Sequence, residues 1–89
     1  MADAKLTAAR SMFVNKVSIP VIKGLLDDLY EDRVLNDGER EEVLEVHMTR
    51  MDKARSLIDM VRRKGARASE ISSRLEERDS NLHEELALG

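Results

Sequence analysis

The chain has no cysteine and no tryptophan, and only one proline, one phenylalanine, one tyrosine and four glycines among its 89 residues. Without cysteine these residues hold no disulfide framework, no thiolate metal site and no cysteine nucleophile, which fits a reducing compartment. Phe13 and Tyr30 are the whole aromatic complement, too little for a protein that reads nucleic acid by stacking bases. The net charge of −3 offers no global attraction to a polyanion. A small helical DNA-binding domain is therefore a remote alternative. No apolar run approaches the ~20 residues of a membrane span. Asp3 and Lys5 precede any apolar stretch at the N-terminus, so there is no signal-peptide core. These absences lead to the expectation of a soluble cytoplasmic protein with neither nucleic acid nor membrane as partner.

What is present is charge and helix formers. Fifteen Lys and Arg stand against eighteen Asp and Glu, a mixed surface suited to discriminating between partners. The length is enough for one domain, residues 1–89, and too short for two. A domain of this size has a stability of about 4–13 kcal/mol. Apolar residues recur every three or four positions: Leu6, Ala9, Phe13 and Val17; Ile22, Leu25 or Leu26, and Leu29; Ala54, Leu57 or Ile58, and Val61. No stretch alternates as a strand would.

Helix punctuation predicts six helices, at 3–16, 20–32, 37–46, 50–64, 67–77 and 80–87. Pro20 suits a first turn, where its missing N–H is not needed. Asn36 with Glu39 forms a capping box, and Thr49 is an N-cap with Asp52 at the positive end of its helix. Asp79 or Ser80 opens the last helix. Gly65 closes the fourth in a left-handed conformation. None of these helices could stay folded alone, so a single antiparallel bundle forms around Phe13, Leu25, Leu29, Val43, Ala54, Ile58, Val61, Ile71 and Leu75. Met12, Met48, Met51 and Met60 read as core or half-buried filler. Gly24, costly within a helix, points to close packing there. The fifth helix is the least apolar, with only Ala68, Ile71 and Leu75 among serines and charges.

Nothing in the sequence signals catalysis. His47 and His83 are isolated, without a second ligand at helical spacing. With Gly38 as sixth residue of a calcium loop, the first and twelfth would be Arg33 and Leu44, where carboxylates are needed. The glycines are too scattered to cradle a phosphate. No serine stands in a triad signature, and a bundle this small leaves little room for a substrate pocket. The reading is a non-enzyme without cofactor or metal.

The segments Gly24-Leu25-Leu26-Asp27-Asp28-Leu29 and Arg33-Val34-Leu35-Asn36 resemble the second helix and following turn of a caspase recruitment domain. The segment Met51-Asp52-Lys53-Ala54-Arg55-Ser56-Leu57-Ile58-Asp59, ending at Lys64-Gly65, resembles that family's fourth helix and is the most specific part of the likeness. Met1-Ala2-Asp3 and Leu86-Ala87-Leu88-Gly89 look like the inflammatory-caspase branch, the caspase-1 type. The resemblance runs end to end. The fifth helix departs from it in being more charged.

The resemblance implies an all-α, six-helix bundle of the death-fold type. It also implies homotypic assembly, with an acidic surface on one domain meeting a basic surface on the next. Partners would be other caspase recruitment domain proteins, adaptors or sensors, and further copies of the chain. Members precede a caspase protease, belong to sensors or adaptors, or stand alone as decoys. The acidic surface falls on Asp27, Asp28 and Glu31, read as lying opposite the apolar stripe of the second helix. The basic surface falls on Arg10, Lys53 and Arg55, with Arg50 and Arg62 as additional candidates. Arginine suits this role because its planar fork grips carboxylates bidentately.

Overall fold

Most helices begin where the sequence supplies an oxygen for their first unpaired N–H groups. Ser18 Oγ accepts from the Val21 N–H, Thr49 Oγ1 from Asp52, and Asp79 Oδ1 from Leu82. Asn36 and Glu39 cap each other reciprocally at 2.8 and 2.9 Å, the predicted capping box. A computed structural model describes residues 4–64 and 68–86. The helices are α1 (Ala4–Lys16), α2 (Ile19–Glu31), α3 (Asp37–Glu41), α4 (Arg50–Arg63), α5 (Ala68–Arg78) and α6 (Ser80–Leu86). No strand occurs among the described residues. Gly65, expected to close α4, lies outside them.

Two local features depart from the sequence pattern. The continuous helix expected over 37–46 is α-helical only through Glu41, then widens into a π turn at Glu42–Val46. The C-terminus of α2 closes on a non-glycine residue in the left-handed region, Arg33 at φ 64°. Around it the Val34 N–H reaches the Leu29 carbonyl at 2.9 Å and the Arg33 N–H reaches the Tyr30 carbonyl at 3.1 Å. This is the Schellman pattern, which ordinarily favours glycine at that position.

The core is one contiguous cluster. All nine residues expected in it are buried, joined by Val17, Ile22, Leu26, Leu35, Leu57 and Leu82 among others. Each large side chain buried in this way contributes roughly 1.5–3 kcal/mol. α1 packs on α4 and α6, α2 on α4 and α5, and α5 on α6. The methionines divide: Met60 is buried and Met51 half-buried, but Met12 is exposed and Met48 is 85% exposed, so these last two fill no core. Met48 follows the π turn in the connection to α4, beyond the reach of any apolar stripe.

Candidate interaction surfaces

α2 carries four acids in its C-terminal half and its cap, and the apolar stripe divides them. Leu25, Leu26 and Leu29 face the core. Asp27 and Glu31 share the outer stripe at i, i+4 spacing; both are exposed. Asp28 does not join them. It is only 7% exposed and faces α5, where Arg78 grips it bidentately at 2.6 and 2.9 Å. One position in a helix turns a side chain by about 100°, enough to bring Asp28 to the helix–helix seam. The expected exposed trio is therefore a pair, Asp27 and Glu31, beside an internal tie.

Asp32, the cap of α2, continues the same seam. Arg74 holds it through two hydrogen bonds at 3.0 and 2.7 Å. Asp28 and Asp32 on one helix, and Arg78 and Arg74 on the other, thus form an antiparallel ladder. The hydrogen bonds from Arg78 pull the Asp28 carboxyl below its ordinary pKa, and those from Arg74 do the same for Asp32. Arg74 and Arg78 of α5 are thus engaged within the domain, while Glu76 and Glu77 of the same helix stay exposed.

Asp27 has a looser partner. Its side chain is 66% exposed, and one of its oxygens lies 3.1 Å from Nε of Arg40 on α3. The same guanidinium pairs with Asp37 at 3.3 Å and sits 5.3 Å above the ring of Tyr30. Glu31 makes no ion pair with another described residue.

The basic candidates lie on α1 and α4, and the structure sorts them by what they already hold. Arg50 donates to the carbonyls of Val14 and Val17, both at 2.8 Å, and so satisfies the C-terminus of α1. Lys53 donates to the carbonyls of Leu44 and His47, closing the π turn. Arg10 forms a bidentate bridge from α1 to Asp59 of α4, at 2.7 and 2.9 Å, and Arg62 shares the same carboxylate at 3.0 Å. This pairing, led by Arg10, lowers the Asp59 pKa. Among the described residues Arg55 pairs only with Asp52, 3.0 Å away on the same helix, and is exposed.

Arg10, Arg55, Arg62 and Arg63 nevertheless line one shallow concavity of about 820 Å³ with Glu42, Asp52 and Asp59. Arg63, whose place in the last turn of α4 suits it to offset the helix dipole and which was not expected in the basic surface, is exposed and lines the concavity too. The structure thus brings Arg10, Arg55 and Arg62 together and gives Arg50 and Lys53 internal roles as helix-end donors. Among the described residues no helix is long and apolar enough to cross a membrane.

Comparison with known proteins agrees with this architecture. Residues 3–89 match the caspase recruitment domain family. Mouse caspase-1 is 52% identical over 71 residues, covering 80% of this chain and 18% of that protein. Cat caspase-1 is 47% identical over 89 residues, covering 99% of this chain and 22% of that protein. The human putative caspase recruitment domain-containing protein 17P is 45% identical over 89 residues, covering 99% of this chain and 81% of that protein. The chain spans about a fifth of the caspase-1 relatives' length. No solved structure gives a significant match. With its six helices and a match over nearly its whole length, the chain belongs to the caspase recruitment domain family, a family of non-catalytic domains that bind other domains of their own kind.

Proposed function

We propose that this chain is the recruitment domain of an inflammatory caspase, and that it clusters an attached protease through contacts with adaptor or sensor domains and with copies of itself. The observation that carries this reading is the likeness to caspase-1 from several mammals at 45–52% identity. The mechanism is proximity. Holding protease domains on one assembly raises their effective concentration without any new catalytic contact. The catalytic cysteine belongs to the attached protease, since these 89 residues contain none.

The contact joins the exposed acids Asp27 and Glu31 on one domain to the arginine concavity on the next, with Arg55 as its most available cation. Lys53 and Arg50 support that surface by fixing the ends of α1 and the π turn. Two different surfaces on one domain make a head-to-tail contact, which does not close on itself and extends into a filament. The site of action is the cytoplasm.

A second reading, a stand-alone regulator that occupies partner surfaces, is favoured by the likeness to protein 17P, of which the chain covers 81%. The size of the native product separates the two. An antibody against this domain should detect a protein several times the 10.1 kDa of the chain, cleaved on inflammatory stimulation. A native product near 10 kDa would instead establish the regulator.

A further inference from the structure

Three acids of α2 and its cap, Asp27, Asp28 and Asp32, are held by arginines of their own chain in two physically different ways. Arg78 and Arg74 each grip a carboxylate with two hydrogen bonds, one carboxylate being buried at the seam with α5. Such pairs are well ordered and are strengthened by partial burial. Arg40 holds Asp27 differently. Its Nε lies 3.1 Å from one oxygen only, with no hydrogen bond between them, on an Asp27 side chain that is largely exposed. Its guanidinium is shared with Asp37 and lies over Tyr30.

A single contact to an exposed carboxylate, with no hydrogen bond behind it, is worth about 0.2–1 kcal/mol and is readily exchanged. We infer that Arg40 is a specificity-determining residue of the acidic surface: an internal guanidinium that occupies Asp27 and that the arginine of a second copy must displace. The occupant follows from charge complementarity, since the concavity carrying Arg10, Arg55 and Arg62 lies on the same molecule. This inference rests on the proposed contact between Asp27 and that surface.

The consequence concerns partner choice. While Arg40 sits beside Asp27, the face presents less negative charge to an approaching cation, and the nearby positive charge repels it. A ligand must bring a well-placed guanidinium to win the exchange. A point-charge lysine gains less, because it cannot engage the remaining oxygen and the vacated one together. The displaced Arg40 keeps Asp37 and the Tyr30 ring as partners, and its buried Nε has no hydrogen bond to lose in the exchange.

The test uses two variants of the chain that each retain one surface. Arg55→Glu keeps the acidic face, and Asp27→Lys keeps the basic one. Titrating one against the other gives a baseline affinity at low salt. Adding Arg40→Gln to the Arg55→Glu chain should tighten that affinity by about two- to five-fold. The gain should fade at high salt. Arg40→Met removes the same charge while leaving an apolar stem over Tyr30, and should give the same gain. Unchanged or weaker affinity with a normal melting temperature overturns the role of Arg40 alone. Loss of fold in both Arg40 variants also overturns it, because a displaceable latch cannot be a structural necessity. If the baseline pair does not associate at all, the proposed contact itself fails, and the role of Arg40 with it.

Discussion

The Arg78 guanidinium crosses α2 directly over Gly24 to reach Asp28, so closely that a Cβ at Gly24 would collide with it. Gly24 is therefore a passage for a side chain of α5. Gly24→Ala should gain up to about 1 kcal/mol in helix propensity. It should lose more by expelling Arg78 from a charge-assisted bidentate pair, worth about 1.5–3 kcal/mol. A net loss of about 1 kcal/mol corresponds to a melting temperature lower by roughly 4–8 °C. In an Arg78→Ala background the same substitution should become stabilising, because nothing remains to collide. Thermal melts of the four chains form a double-mutant cycle. Additive effects would contradict the passage.

The Asp28–Arg78 pair should also shape acid unfolding. Its folded pKa lies below the ordinary carboxylate value near 3.8, chiefly because Arg78 donates to it. A depressed folded pKa gives stability that is fully present above the unfolded value and is lost as pH falls through the folded one. Asp59, Asp32 and Glu39 carry shifts of the same sign. The melting temperature should hold down to about pH 4 and then fall. Asp28→Asn should melt lower than wild type at pH 7, with the difference shrinking below pH 4. Parallel curves over the whole range would show that Asp28 gains nothing from its charge.

Arg33 occupies a left-handed position that costs a residue with a Cβ about 1–2 kcal/mol. Glycine removes that strain but adds freedom to the unfolded chain, at a cost of about 0.5–1 kcal/mol. Arg33→Gly should raise the melting temperature by a few degrees. A lower value would mean that the Arg33 side chain holds something in the fold that outweighs backbone strain.

Helix number, most caps and the core were legible in the sequence because periodicity and capping are local. Ile58, Val61 and Leu75 could be placed inside from spacing alone, and Asn36 with Glu39 announced its own helix. The exposed Asp27 was equally legible. Asp28 was not: adjacent acids on one helix look alike until the neighbouring helix is known. A signal was nevertheless present. Gly24, Asp28 and Asp32 repeat at i, i+4, and Arg74 and Arg78 repeat at the same spacing with opposite sign. Two matching ladders, one opening on a glycine, describe an antiparallel helix pair. Nothing in the residue spacing announced the π turn, or Arg50 and Lys53 reaching carbonyls 36 and 9 residues away. Those bonds depend on where other helices end.

Under the proposed contact, charge at Asp27 and Arg55 governs assembly and leaves folding alone. Both residues are exposed and each holds one ion pair worth about 0.2–1 kcal/mol, so reversing either charge should cost stability only about 1 kcal/mol. Between molecules the same reversal sets like charges against each other, which costs several kcal/mol. The most direct measurement is light scattering at low salt on wild type, Asp27→Lys, Arg55→Glu and an equimolar mixture of the two variants. Wild type should self-associate as concentration rises. Each variant alone should remain folded and monomeric, and the mixture should form short hetero-oligomers through the one intact pair of surfaces. Variants that polymerise as wild type does, or a mixture that stays monomeric, would contradict an Asp27–Arg55 contact between copies.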